Sequence, residues 1–123
     1  MSQPNVLIVE DDIDIGKMLK ITLSELDINP VHVKNGELAI EYLEATQPEL
    51  ILLDLNLPNI NGWKVLEYAK QRYGTSFHVI ILTANADSVN RLMGKMQEVT
   101  QYIQKPFVPN ELRDHIKNLL QPS

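Results

Sequence analysis

The chain has no cysteine, and that absence removes disulfide frameworks, thiol nucleophiles and sulfur-ligand metal sites together. No apolar run approaches the roughly 18 residues a membrane-spanning helix needs. The opening "MSQPNVLIVEDD" reaches acidic residues quickly and carries no basic leader. These features predict a cytoplasmic protein with no membrane partner. Positive charge is in deficit, with 11 Lys and Arg against 16 Asp and Glu and a formal net charge of -5. A nucleic-acid backbone needs a basic footprint, so no direct nucleic-acid binding by this chain is expected. His32, His78 and His115 share no spacing that builds a metal or relay site and are read as structural or exposed. What is present is a globular balance: 123 residues, 44% hydrophobic and 22% charged, which predicts one domain over residues 1–123.

Short apolar runs alternate with helical periodicity along the whole chain. Asn5 to Val9 reads as a strand, and Ile15, Met18, Leu19, Leu23 and Leu26 then recur at helical spacing. "PVHVK" at 30–34 is a second strand, followed by a helix with Ala39, Ile40 and Leu43 on its apolar side. Leu50 to Leu53 form a third strand without a polar residue, as expected where helices cover both faces of a parallel sheet. Asn61 caps a third helix carrying Trp63, Leu66 and Ala69, and "FHVIILT" at 77–83 is the fourth strand. A fourth helix with Val89, Leu92, Met93 and Met96 is weakened by Gly94. "TQYI" gives a short fifth strand, and Pro109 and Glu111 open a last helix lined by Leu112, Ile116, Leu119 and Leu120. Five strand-helix repeats predict an α/β fold: a five-stranded parallel sheet with helices on both faces, doubly wound and flavodoxin-like.

In such sheets ligands bind beyond the carboxyl ends of the strands. The unusual polar residues fall there: Asp11 and Asp12 after the first strand, Asp54 at the end of the third, Thr83 at the end of the fourth and Lys105 after the fifth. Carboxylates crowded at one edge repel unless a cation holds them. Magnesium, which takes oxygen ligands, suits the set, with Asp12 and Asp54 as first ligands and Asp11 either a ligand or the holder of a ligating water. A metal site alone has little use for Lys105, whereas a phosphoryl group does. Its oxygens can be shared among metal, Lys105 and the Thr83 hydroxyl while the Asp54 carboxylate attacks phosphorus.

Four ordered motifs, "VLIVEDD", "LLDLNLPNINGW", the Thr83-Ala84 pair and "YIQKPF", together resemble the receiver domains of two-component response regulators across almost the whole chain. The resemblance implies a phosphoacceptor rather than an enzyme. Asp54 would take the phosphoryl group from a histidine kinase or histidine phosphotransfer protein, and Asp11 and Asp12 would organise Mg2+, or Mn2+ in its place. It further implies a metal-ligating backbone carbonyl at Asn56, phosphoryl contacts from Thr83 and Lys105, and a Tyr102 that turns inward when Thr83 moves. The peptide bond before Pro106 would be cis, and Asn56 and Asn85 would lie near the path of attacking water. A surface built by the fourth helix, fifth strand and fifth helix would reach a downstream protein or fused output domain.

Glu98-Val99 stands where the family often has Gly-Ala, a departure that bears on this output surface and leaves the phosphoryl chemistry intact. Two other functions share parts of the pattern. A magnesium phosphohydrolase with an aspartyl nucleophile resembles "DxDxT", whereas this chain reads "DLNLP" and lacks the second acid and the threonine. A binding module could keep the fold and dispense with phosphate, although every acceptor and metal residue is retained here.

Overall fold

The computed structural model describes residues 3–55, 57, 60–84 and 99–120. Five parallel strands, β1 (Asn5–Val9), β2 (Asn29–Val33), β3 (Leu50–Asp54), β4 (His78–Thr83) and β5 (Gln101–Gln104), form one sheet in the order β2-β1-β3-β4-β5. Four helices are present among the described residues: α1 (Ile13–Leu23), α2 (Gly36–Ala45), α3 (Gly62–Tyr73) and α4 (Pro109–Leu120). The last of these is the fifth helix of the sequence reading. The expected helix around Val89 to Met96, and Asn85 before it, lie outside the described residues. β5 runs one residue later than the spacing predicts; Thr100, just before it, still bonds to β4, its N–H donating to the Val79 carbonyl at 2.9 Å and its hydroxyl accepting from the Val79 N–H at 3.1 Å.

Alternation along the strands sends side chains to two cores. Leu7, Val9, Ile51, Leu53, Val79 and Ile81 pack with Ala39, Leu43, Val65, Leu66 and Ala69 of α2 and α3, and Trp63 leans on this cluster as a packing residue. Val6, Ile8, Leu50, Leu52, Ile80 and Leu82 pack with Leu19 and Leu23 of α1 and Leu112 and Ile116 of α4. Such two-sided burial is why β1 and β3 read as continuous apolar runs. Truncating a fully buried residue such as Leu52 to alanine costs about 2–5 kcal/mol, because the interior collapses only partly around the void. Chain order and spatial order diverge at β1, which pairs with both β2 and β3, and this opens the crevice beyond the strand ends where the acidic residues gather.

Candidate functional site

Register decides which acids meet. Val9 pairs with Leu53, so the next residue on each strand, Glu10 and Asp54, comes to stand side by side. Both continue the parity of Ile8 and Leu52, as Lys105 continues that of Ile103, and all three therefore project to the α1 and α4 side of the sheet. Lys105 Nζ lies 2.7 Å from Glu10 Oε2 and 3.4 Å from Asp54 Oδ2. Its backbone N–H donates to the Thr83 carbonyl at 2.7 Å, which ties the end of β5 to the end of β4. The Lys105–Pro106 peptide bond is cis.

Glu10 and Asp54 are buried, 1% and 5% exposed, and both meet the Lys105 ammonium. Burial raises the Glu10 pKa to about 7, further helped by the neighbouring Asp54 charge and opposed by the hydrogen bond and charge of Lys105. Burial alone would depress the lysine; the Glu10 hydrogen bond and the Asp54 charge outweigh it, so Lys105 titrates above its ordinary range. Asp11, exposed beside them, completes a set in which Glu10, Asp11 and Asp54 offer oxygens all within 4.8 Å of one another. Among the described residues, three carboxylates gather around the Lys105 ammonium, and negative charge is in excess. An all-oxygen donor set of this kind fits a hard divalent cation such as magnesium.

The loop after Asp54 answers to close packing. A Cβ built on Gly62 would fall 2.7 Å from the Asp54 carbonyl oxygen and 2.8 Å from Leu55 Cα, so only glycine lets α3 begin this near the acceptor. Gly62 N–H also donates to the Leu55 carbonyl at 3.2 Å, and the Asn61 side chain caps the helix by accepting from Lys64 N–H at 3.1 Å.

The structure brings Asp11, Asp54 and Lys105 together and sets Thr83, 1% exposed, at the end of the strand beside Asp54. Tyr102 is half-buried and packs against the α2 and α3 core. Asp12 is the correction. Its Oδ1 accepts from the N–H groups of Asp14 at 3.0 Å and Ile15 at 3.1 Å, which makes it the N-cap of α1, and Glu10 holds the place in the cluster expected for it. Asn56 lies outside the described residues. A signal for Glu10 was available in the sequence: Asp54 directly follows the apolar run 50–53, and the residue that directly follows the apolar run of β1 is Glu10.

The chain belongs to the response regulator receiver domain family, whose pattern matches residues 6–117. It is 31% identical over 118 residues to "Transcriptional regulatory protein BaeR" of Escherichia coli O6:H1, covering 96% of this chain and 48% of that protein. It is 32% identical over 116 residues to "DNA-binding response regulator MtrA" of Mycobacterium tuberculosis, covering 94% and 50%. The chain thus spans about half the length of the curated relatives it matches. A solved CheY-like receiver domain protein from Methanospirillum hungatei superposes with a TM-score of 0.90 at 27% identity, covering 97% of this chain and 94% of that one. This is a receiver domain of two-component signal transduction, with a clustered acidic pocket of the kind a phosphoacceptor site requires. Receiver domains are not enzymes that turn over a released substrate. No helix among the described residues is long and apolar enough to cross a membrane.

Proposed function

We propose that residues 1–123 act as a cytoplasmic phosphoacceptor. In this reading Asp54 takes a phosphoryl group from a histidine kinase or histidine phosphotransfer protein, and the modified domain changes its binding to a downstream protein or fused output domain. The observation that supports this most is the juxtaposition of Lys105 with Glu10 at 2.7 Å and Asp54 at 3.4 Å beside the exposed Asp11. An Asp54 carboxylate oxygen forms the bond to phosphorus as the donor's phosphorus–nitrogen bond breaks and its electron pair returns to the imidazole. Lys105, already charged and 17% exposed, pairs with the incoming phosphoryl oxygens, and the Thr83 hydroxyl donates to another. Glu10, Asp11 and Asp54 would hold Mg2+, or Mn2+; the carbonyl of Asn56 is assigned as a further ligand from the family resemblance alone. The ion, when bound, supplies the positive charge that the crowded carboxylates and phosphoryl oxygens need.

Drawing Thr83 toward the phosphoryl group would favour an inward Tyr102 and alter the surface carrying β5 and α4, a shift between two populated states. Amide chemical shifts with and without beryllofluoride and Mg2+ test this. Shifts at Thr83 and along β5 that vanish in Asp54→Asn are expected. A spectrum unchanged by the phosphoryl mimic would sink the proposal.

A further inference from the structure

We infer that His32 is a positioning residue for the acidic cluster, seated in space that Gly16 leaves open. His32 lies on the edge strand β2 opposite Ile8, and its ring reaches forward so that Nε2 stands 2.8 Å from the Glu10 carbonyl oxygen. A carbonyl only accepts, so Nε2 carries the proton and donates. Glu10 is thereby held at every polar atom the structure pairs: its N–H donates to the Val33 carbonyl at 3.1 Å, its carbonyl accepts from His32, and its carboxylate takes Asp12 N–H at 3.2 Å and Lys105 at 2.7 Å. The Glu10 carbonyl shares its peptide plane with the Asp11 N–H, so fixing that carbonyl also fixes where Asp11 begins.

Helix α1 is shaped to admit the ring. A Cβ built on Gly16 would overlap Cε1, Nε2 and Nδ1 of His32, so any larger residue there displaces the imidazole. Glycine is a poor helix former and Gly16 is buried in the first turn and a half of α1, at neither cap position; its use there follows from the ring it accommodates. Partners that orient metal ligands commonly set metal affinity as strongly as some ligands do. The inference rests on the reading of Glu10 and Asp11 as the metal pair and deepens it.

The test uses the whole chain. Titration with Mg2+ alone, followed by calorimetry, should show about tenfold weaker binding in His32→Leu, which keeps volume without a donor. His32→Gln, whose Nε2 can reach the same carbonyl, should stay within about twofold of wild type. Gly16→Ala should weaken binding as His32→Leu does, and adding Gly16→Ala to His32→Ala should cost nothing further, because the methyl group then enters vacated space. Amide hydrogen exchange without metal gives a second readout: the Glu10 N–H, which donates to the Val33 carbonyl, should lose protection in His32→Leu and keep it in His32→Gln, with melting temperatures measured alongside. Unchanged Mg2+ affinity and unchanged exchange in His32→Leu would overturn the inference, as would a His32→Gln variant as impaired as His32→Leu. Absence of Mg2+ binding in the wild type would instead overturn the metal reading, and the metal-free exchange would still decide whether His32 pins Glu10.

Discussion

Replacing Glu10 with glutamine keeps the shape of the side chain and removes the charge that burial makes hardest to hold. Wild-type Glu10 has a pKa raised to about 7, so at pH 6 it is ionised about one tenth of the time and at pH 8 about nine tenths. A metal ion needs the ionised form, and the sign follows: Mg2+ affinity rises with pH across this window, by about tenfold between pH 6 and 8. Tenfold in affinity is about 1.4 kcal/mol. In the metal-free domain the raised pKa acts the other way, because the folded state binds more protons than the unfolded chain between the ordinary 4.5 and about 7 and its stability from this group falls as pH rises. At saturating Mg2+ the metal-induced rise in Tm should thus be larger at pH 8 than at pH 6 by roughly 4–6 °C for a domain of this size. In Glu10→Gln the affinity at pH 8 should drop by about tenfold or more and the profile between pH 6 and 8 should flatten. Calorimetric titration at the two pH values, with thermal melts as the cross-check, measures both. A wild-type affinity that does not change with pH, or a Glu10→Gln variant with the wild-type profile, would refute the assignment of Glu10 to the metal cluster.

Asp12→Asn should bind Mg2+ within about twofold of wild type and melt normally, because asparagine caps a helix as well as aspartate; Asp12→Ala should lose about 1 kcal/mol of stability in denaturant titration. Gly62→Ala must push the Asp54 carbonyl or Leu55 aside and should cost about 1–3 kcal/mol, with slower labelling of Asp54 by acetyl phosphate. Lys105→Met retains the nucleophile but loses the ammonium 3.4 Å from it, so labelling should slow by about tenfold or more and the beryllofluoride-induced shift at Thr83 should disappear.

Most of the fold was legible because the three central strands β1, β3 and β4 are apolar runs with a polar residue at the carboxyl end, and parity of two sends those runs to two buried faces. The same pattern marked Asp54 and Thr83, since a charge or hydroxyl directly after four apolar residues sits at the sheet edge, whereas Lys105 follows Gln104 and stood out only by its place after the last strand and before Pro106. Three consecutive acids at 10–12 were harder to divide. Composition treats them alike; the place of Glu10 directly after the β1 run was the one local sign, and the pairing of Val9 with Leu53 sets it beside Asp54 while Asp12 turns to the α1 N–H groups. The contact between His32 and Glu10 was illegible for a related reason: it joins residues 22 apart and depends on an absent side chain at Gly16. A histidine on a weakly alternating edge strand carries no local sign of what its ring will meet.

The central claim is that Asp54 accepts the phosphoryl group, and the most direct measurement is the intact mass of the protein after incubation with acetyl phosphate and Mg2+. Wild type should gain one phosphoryl group, lost on treatment with hydroxylamine as an acyl phosphate is, and Asp54→Asn should gain none. The same hydroxylamine-labile modification in Asp54→Asn, or a wild type that stays unmodified by both acetyl phosphate and a phosphorylated histidine kinase, would contradict the account.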